Sequence, residues 1–354
     1  MMFRALRRLL RRPRTVVPGR TTTPGPATRS DTTEGTGGVT LTIGVDVGGT
    51  KVAGGVVDDQ GVVLAHTRRE TPAHDPAGTR DTIVAVATEL AAAYPEAKAV
   101  GIGAAAWIDA AGATVLFAPN LAWRDEPVRD YVAKAVGLPT VLENDANVAA
   151  WAEFRYGAAR LADDSMVMIT VGTGIGGGIV LNGALWRGAN GVAGELGHIV
   201  SVNDGIPCGC GRLGCLEQYA SGNALIRFAQ AGARQEPGRA ALLLDLAGGD
   251  ALAITGRMIT QAAQAGDSVA RDAFAQIGYW LGAAMADLAQ VFDPQVLVVG
   301  GGVIDAGELL MGPTERTYRD QLAQRGRFPV AEIRAAETGN TAGVLGAADL
   351  ARRI

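Results

Sequence analysis

The chain has 354 residues, 48% of them apolar, and sets 32 Lys and Arg against 36 Asp and Glu for a formal net charge of −4. That length exceeds the roughly 250–300 residues that a single hydrophobic core serves, so two lobes are expected. The weak negative charge leaves no electrostatic footprint for nucleic acid, and no apolar run reaches the ~18 residues of a membrane span.

Met1 to Arg20 is rich in arginine and contains no acid, and Thr21 to Gly38 is mostly Thr, Pro, Gly and Ser. Residues 1–40 are expected to be a solvated, disordered extension, Thr21 to Gly38 bringing too little apolar surface to order themselves. The alternative for Phe3 to Arg12 is a basic amphipathic turn that touches an anionic membrane or serves as a transit segment. No apolar stretch precedes a small-residue cleavage site, and the expected location is cytoplasmic.

From Leu41 the pattern is that of packed secondary structure. Leu41 to Val47 reads as a strand, Gly48-Gly49-Thr50-Lys51 as a glycine turn, and Val52 to Val57 and Val62 to Ala65 as further strands of an antiparallel meander. A helix is expected over 81–93, stopped by Tyr94-Pro95, then a buried strand over 99–104. A comparable unit comes later: strand Met166 to Val171, glycine turn Gly172 to Gly178, returning strand Ile179 to Leu181, and the hairpin turn Asn182-Gly183. From Ser221 the pattern is mostly helical up to a strand over 295–299, followed by Gly300-Gly301-Gly302. A helix over 341–353 closes the chain.

Glycine is frequent, 49 residues or about twice the usual ~7%, and its tight clusters suggest backbone held close to phosphate. Gly172-x-Gly174-x-x-Gly177 matches a dinucleotide-binding string. That reading requires a helix after the loop, whereas Asn182-Gly183 turns the chain back as a strand. The P-loop order is absent around Gly44 to Lys51 as well. What remains is a pair of hairpin loops whose free N–H groups suit phosphate oxygens, with Asp46 placed to orient the Mg²⁺ of a triphosphate. Each loop taken singly is also compatible with an ordinary tight turn.

Glu143-Asn144-Asp145-Ala146-Asn147 follows a short strand and precedes a helix-like run, which places Asn144 and Asp145 at a strand C-terminus. Helix capping explains the same residues without chemistry. Cys208, Cys210 and Cys215 are the three cysteines of the chain, and with His198 they form a complete tetrahedral set for a structural Zn²⁺. Closing that loop is expected to aim Glu195 and Glu217, at its two ends, into one cleft, where carboxylates suit sugar hydroxyls.

Together, Asp46 to Lys51, Glu143 to Asn147, Gly172 to Gly178, Gly194 to His198 and Cys208 to Glu217 resemble the ROK (repressor, open reading frame, kinase) family, and within it the actinobacterial-type ATP-dependent glucokinases. The resemblance spans everything from about Leu41 onward. It implies an α/β, two-lobed, actin-like (ribonuclease H-like) sugar kinase fold, with residues 41–119 plus 342–354 in a small lobe and 120–341 in a large one. It also implies ATP with Mg²⁺ as donor, glucose as acceptor at its 6-hydroxyl, and a homodimer or homotetramer. Residue by residue, Asp145 is implied as general base. Asn120, Asn144, Glu195, His198 and Glu217 are implied as sugar contacts, with His198 also on zinc. Asp46, Gly49, Thr50, Lys51, Gly172, Thr173, Gly174, Gly301 and Gly302 are implied at the nucleotide. The family's repressors carry a helix-turn-helix domain ahead of this body, and the residues before Leu41 leave no room for one, so an enzyme is expected.

Overall fold

The computed structural model describes residues 40–326 and 329–354; the extension expected over 1–40 lies, but for Thr40, outside them. The first sheet is built from β1 (Thr42–Val47), β2 (Lys51–Val57), β3 (Val63–Glu70), β4 (Val100–Ala104) and β8 (Thr140–Asn144) in the order β3-β2-β1-β4-β8. A small sheet, β5 (Trp107–Ile108), β6 (Val115–Phe117) and β7 (Arg124–Glu126), interrupts the chain between β4 and β8. The second large sheet takes β9 (Met166–Val171), β10 (Ile175–Leu181), β11 (Ala184–Leu185), β12 (Val296–Gly300) and β13 (Glu332–Ala335) in the order β11-β10-β9-β12-β13.

The two orders are the same arrangement used twice. In each sheet an antiparallel hairpin is extended by two parallel strands: β1 pairs with β2 and then β4, as β9 pairs with β10 and then β12. The related strand–glycine turn–strand units expected from the sequence are therefore present, one per sheet. β8, expected beyond the boundary at 120 in the large lobe, is instead hydrogen-bonded to β4 along its whole length, so the first sheet extends to Asn144.

The helices are α1 (Pro76–Ala93), α2 (Val128–Val136), α3 (Asp145–Arg155), α4 (Glu217–Ala220), α5 (Gly222–Gln235), α6 (Ala241–Leu246), α7 (Gly256–Gln264), α8 (Ser268–Phe292), α9 (Glu308–Gln321) and α10 (Ala342–Ala351). α1 begins five residues before the expected Asp81, because Pro76 occupies the first turn, where its missing N–H costs nothing. Among the described residues no helix is long and apolar enough to cross a membrane.

Many glycines serve close packing rather than phosphate. A Cβ on Gly44 of β1 would lie 1.9 Å from the Val344 carbonyl oxygen, and one on Gly101 of β4 would lie 1.8 Å from that of Ala347, so α10 rests backbone to backbone on this sheet. Gly346 of α10 stands equally close to α3, its Cβ position 2.0 Å from the Val148 carbonyl oxygen. The same two helices are joined through Asp349, which is buried and accepts from Trp151 Nε1 at 2.8 Å and from the Tyr156 hydroxyl.

Candidate active site

The C-terminal ends of the parallel strands β1, β4 and β8 lie in register, with Val47 opposite Ala104 and Ala104 opposite Asn144. This edge places Asp46, the first glycine turn and the β8–α3 junction together. Asn144 is the N-cap of α3: its Oδ1 accepts from Asn147 N at 3.0 Å. Its Nδ2 donates to the Ala106 carbonyl at 3.1 Å and to Asp145 Oδ1 at 3.0 Å. The capping reading is thus correct for Asn144, and the cap also fixes the neighbouring carboxylate.

Asp145 is the first residue of α3, and burial holds its carboxyl above the ordinary range against the helix N–H groups that favour the anion. Asp46 is pushed up to about 6, chiefly by burial and then by the charge of Asp145, with Lys51 opposing. Glu195 is also raised, by burial first. The His198 ring and the Trp107 side chain oppose the rise, while the charges of Asp145 and Glu217 add to it. Four acids from four segments therefore share one field, the pattern of a site tuned for proton transfer and hydroxyl binding.

His198 stands between two environments. Its Nε2 lies 3.8 Å from Glu195 Oε2, and its Nδ1 lies 3.6 Å from Cys208 Sγ. Cys210 Sγ and Cys215 Sγ are also 3.6 Å apart, and the four ligand atoms all lie within 4.8 Å of one another. A zinc ion with Zn–S near 2.3 Å sets tetrahedral sulfurs about 3.8 Å apart, so the donor set and its spacing fit the ion. Gly211 and Gly214, both at positive φ, make the turns that return Cys215 to Cys208.

Glu217 joins this cluster to the second glycine turn, since its Oε2 accepts from Ile175 N at 3.0 Å. That turn is shorter than expected. β10 starts at Ile175, and a Cβ on Gly176 or Gly178 would meet Ala146 or Ala150 of α3, so these glycines admit a helix rather than a ligand. Gly172 faces open space, and its carbonyl accepts from Gly222 N at 2.8 Å while that of Thr173 accepts from Asn223 N. Gly174 faces Glu217. Gly300 is paired with Thr170, which brings the Gly301-Gly302 turn to the same sheet end; Gly301 needs its φ of +85°, and Gly302 faces open space.

Asn120 is exposed beside Gly49, whose Cβ position is 3.1 Å from Asn120 Cβ, and both line a cleft of about 620 Å³ with Thr50, His74 and Arg124. Arg124 stacks on Phe117 at 4.1 Å and donates to the carbonyls of Ala118, Leu121 and Trp123, fixing the loop that presents Asn120. Lys51 lies in β2, and its carbonyl takes the Gly48 N–H that closes the first turn.

Residues 42–354 match the ROK family description. The chain belongs to the ROK family. It is similar to the glucokinase of Streptomyces coelicolor, 48% identical over 312 residues, which cover 88% of this chain and 98% of that protein. It is also similar to a crystal structure of a ROK family glucokinase from Streptomyces griseus in complex with glucose and AMPPNP. That likeness has a TM-score of 0.79 and 50% identity and covers 89% of this chain and all of the other. An N-acetylmannosamine kinase of Yersinia pestis is 35% identical over 314 residues, 88% of this chain and 98% of that protein. The fold is the two-lobed actin-like kinase fold of these ROK relatives.

Sequence reasoning passed over Arg187 and Trp107 and gave Glu143 no role of its own. Glu143 is buried and accepts from Asn144 N and Asn147 Nδ2, each at 2.9 Å, and from Arg187 Nε. An arginine in a loop carries no local pattern that announces a partner 44 residues away.

Proposed function

We propose that this ROK kinase transfers the γ-phosphoryl group of ATP to the 6-hydroxyl of glucose, with Asp145 as general base. The observation that carries the reading is the raised Asp145 carboxyl, held by Asn144 and sharing one field with Asp46, Glu195 and Glu217. Asp145 accepts the hydroxyl proton as the oxygen attacks phosphorus in line, a form of assistance worth roughly 10²–10⁴-fold. Glu195, Glu217, the His198 Nε2 face, Asn120 and Asn144 accept from and donate to the remaining hydroxyls and fix the sugar, and Asn144 also holds the base. The open Gly172 and Gly302 backbones border the phosphate path with Thr173, Gly174 and Gly301, while Gly49, Thr50 and Lys51 form the facing turn. Asp46 would orient a Mg²⁺ ion, which neutralises charge on the phosphates when bound. His198, Cys208, Cys210 and Cys215 would hold a structural Zn²⁺ that fixes the ring of His198 through Nδ1.

The test is a comparison of kcat/KM across glucose, mannose, fructose, N-acetylglucosamine and N-acetylmannosamine, each with ATP and with polyphosphate. Glucose with ATP is expected to lead. A lead for an N-acetylated hexose would move the substrate assignment towards the Yersinia relative, and turnover only with polyphosphate would overturn the donor.

A further inference from the structure

The loop from Arg187 to Glu195 leaves β11 in the second sheet and ends on a proposed sugar ligand, yet along its length it touches elements around the first sheet. At its start, Arg187 Nε donates to the buried carboxylate of Glu143 at the end of β8. At its middle, Gly191 adopts φ +83°, and its Cβ position lies 2.8 Å from Ala110 N and from the Ile108 carbonyl oxygen, so the loop lies directly on the small sheet. Near its end, Gly194 packs against Asn147 Oδ1, a buried oxygen with no hydrogen-bond partner. At Glu195 the Trp107 side chain favours the carboxylate. The Arg187 carbonyl accepts from Ala193 N at 3.0 Å, which closes the loop on itself two residues before Glu195.

Glu143 is the point where this loop meets the base. One of its oxygens accepts from Asn144 N and from Asn147 Nδ2, and the other faces Arg187. Asn144 in turn holds Asp145 Oδ1. The carboxylate has two N–H donors on one oxygen and the guanidinium on the other; without that guanidinium it would be a buried charge lacking its counter-ion. Glu143 is two residues before Asp145, and its own contacts are to Asn144 N, Asn147 and Arg187, so its influence passes through the β8–α3 junction.

We propose that Glu143 and Arg187 are a positioning pair that couples the sugar-binding loop 187–195 to the general base Asp145. The pair makes the aim of the base depend on where the sugar loop sits. The inference rests on the phosphoryl-transfer reading given above and deepens it by naming how one loop serves both binding and chemistry.

The experiment compares Glu143→Gln, Arg187→Lys, Arg187→Met and the double variant Glu143→Gln/Arg187→Met with the wild type. It measures kcat, KM for glucose, KM for ATP and thermal melting. In Glu143→Gln the carboxamide NH₂ opposes the guanidinium, and a base displaced by an ångström loses on the order of 10²-fold in rate. The expected result is a 10- to 100-fold fall in kcat for Glu143→Gln and Arg187→Met, with KM for ATP within about twofold and the double variant no worse than either single one. Arg187→Lys keeps the charge on a half-exposed position and loses the fixed geometry, so it falls between wild type and Arg187→Met at an unchanged melting temperature. If Glu143→Gln fails to fold, this lysine variant decides the matter. A kcat within twofold of wild type in Arg187→Lys and Arg187→Met overturns the proposal, as do losses that multiply in the double variant. Wild-type protein inactive on every hexose would overturn the phosphoryl-transfer reading itself, whereas an active wild type with equally active variants removes the coupling alone.

Discussion

Asp46→Asn should stabilise the magnesium-free protein near neutral pH. Burial, and then the charge of Asp145, raises the Asp46 carboxyl from 3.8 to about 6. Because its folded pKa lies above its unfolded one, the group's contribution to stability is fully present below about pH 4. It is lost as pH rises through 6. A difference of about two pKa units at roughly 1.4 kcal/mol each sets a ceiling near 3 kcal/mol on the cost of the ionised form at pH 7.5. Asparagine removes that cost, from which the attraction of Lys51 is already deducted, while its own unmet hydrogen bonds offset part of the gain, so roughly 1–3 kcal/mol remains, a rise of a few degrees in Tm for a chain of this size. Melting of both proteins in chelator at pH 7.5 and pH 5 checks the reasoning: the variant is expected to lead at pH 7.5 and the gap to shrink at pH 5. A variant melting at or below the wild type at pH 7.5, or a gap of equal size at both pH values, would refute it. The same substitution should abolish ATP-dependent turnover.

Asp145→Asn is expected to lower kcat by roughly 10²–10⁴-fold while glucose still perturbs the tryptophan fluorescence; substantial residual kcat removes Asp145 as the base. The raised Asp145 carboxyl also predicts a pH profile in which kcat/KM falls on acidification at a pH above the ordinary aspartate range, as the base is protonated; a flat profile down to pH 4 contradicts it. Cys215→Ser should release about one zinc per chain by elemental analysis, lower Tm and raise KM for glucose, since His198 loses its anchor; an unchanged metal content sinks the site. Gly191→Ala adds a Cβ 2.8 Å from backbone atoms at a positive φ. The loop must lift from the small sheet, raising KM for glucose severalfold in steady-state assays, and an unaltered KM would show that the contact is immaterial.

The strands and the paired glycine hairpins were legible because alternation and turn chemistry are local. So was the His198–Cys215 cluster, whose ligands lie within eighteen positions of one another. Asn144 and Asp145 were legible as a strand-end pair, and the structure adds that Asn144 caps α3 while its Nδ2 holds the carboxylate of Asp145. The meaning of the glycines was not legible. Gly176 and Gly178 read as loop residues, yet they lie in β10 because α3 needs their missing side chains. Gly44 and Gly101 sit in strands for the same reason beneath α10. Whether a glycine admits phosphate or a helix depends on what packs above it, and that is a property of distant sequence. β8 joined the first sheet by pairing with β4 across an insertion, and the small sheet, with only two or three residues per strand, is too short to show alternation.

The close seating of α10 has a consequence for catalysis. Asp46 stands on β1, which meets α10 through Gly44, and Asp145 opens α3, which meets α10 through Gly346. No flexible side chain lies between these backbones at either point, and Asp349 bolts the two helices together below. The acid proposed to orient the metal and the proposed base are therefore carried by elements seated on one shared helix, so a substitution that shifts α10 is expected to disturb both at once.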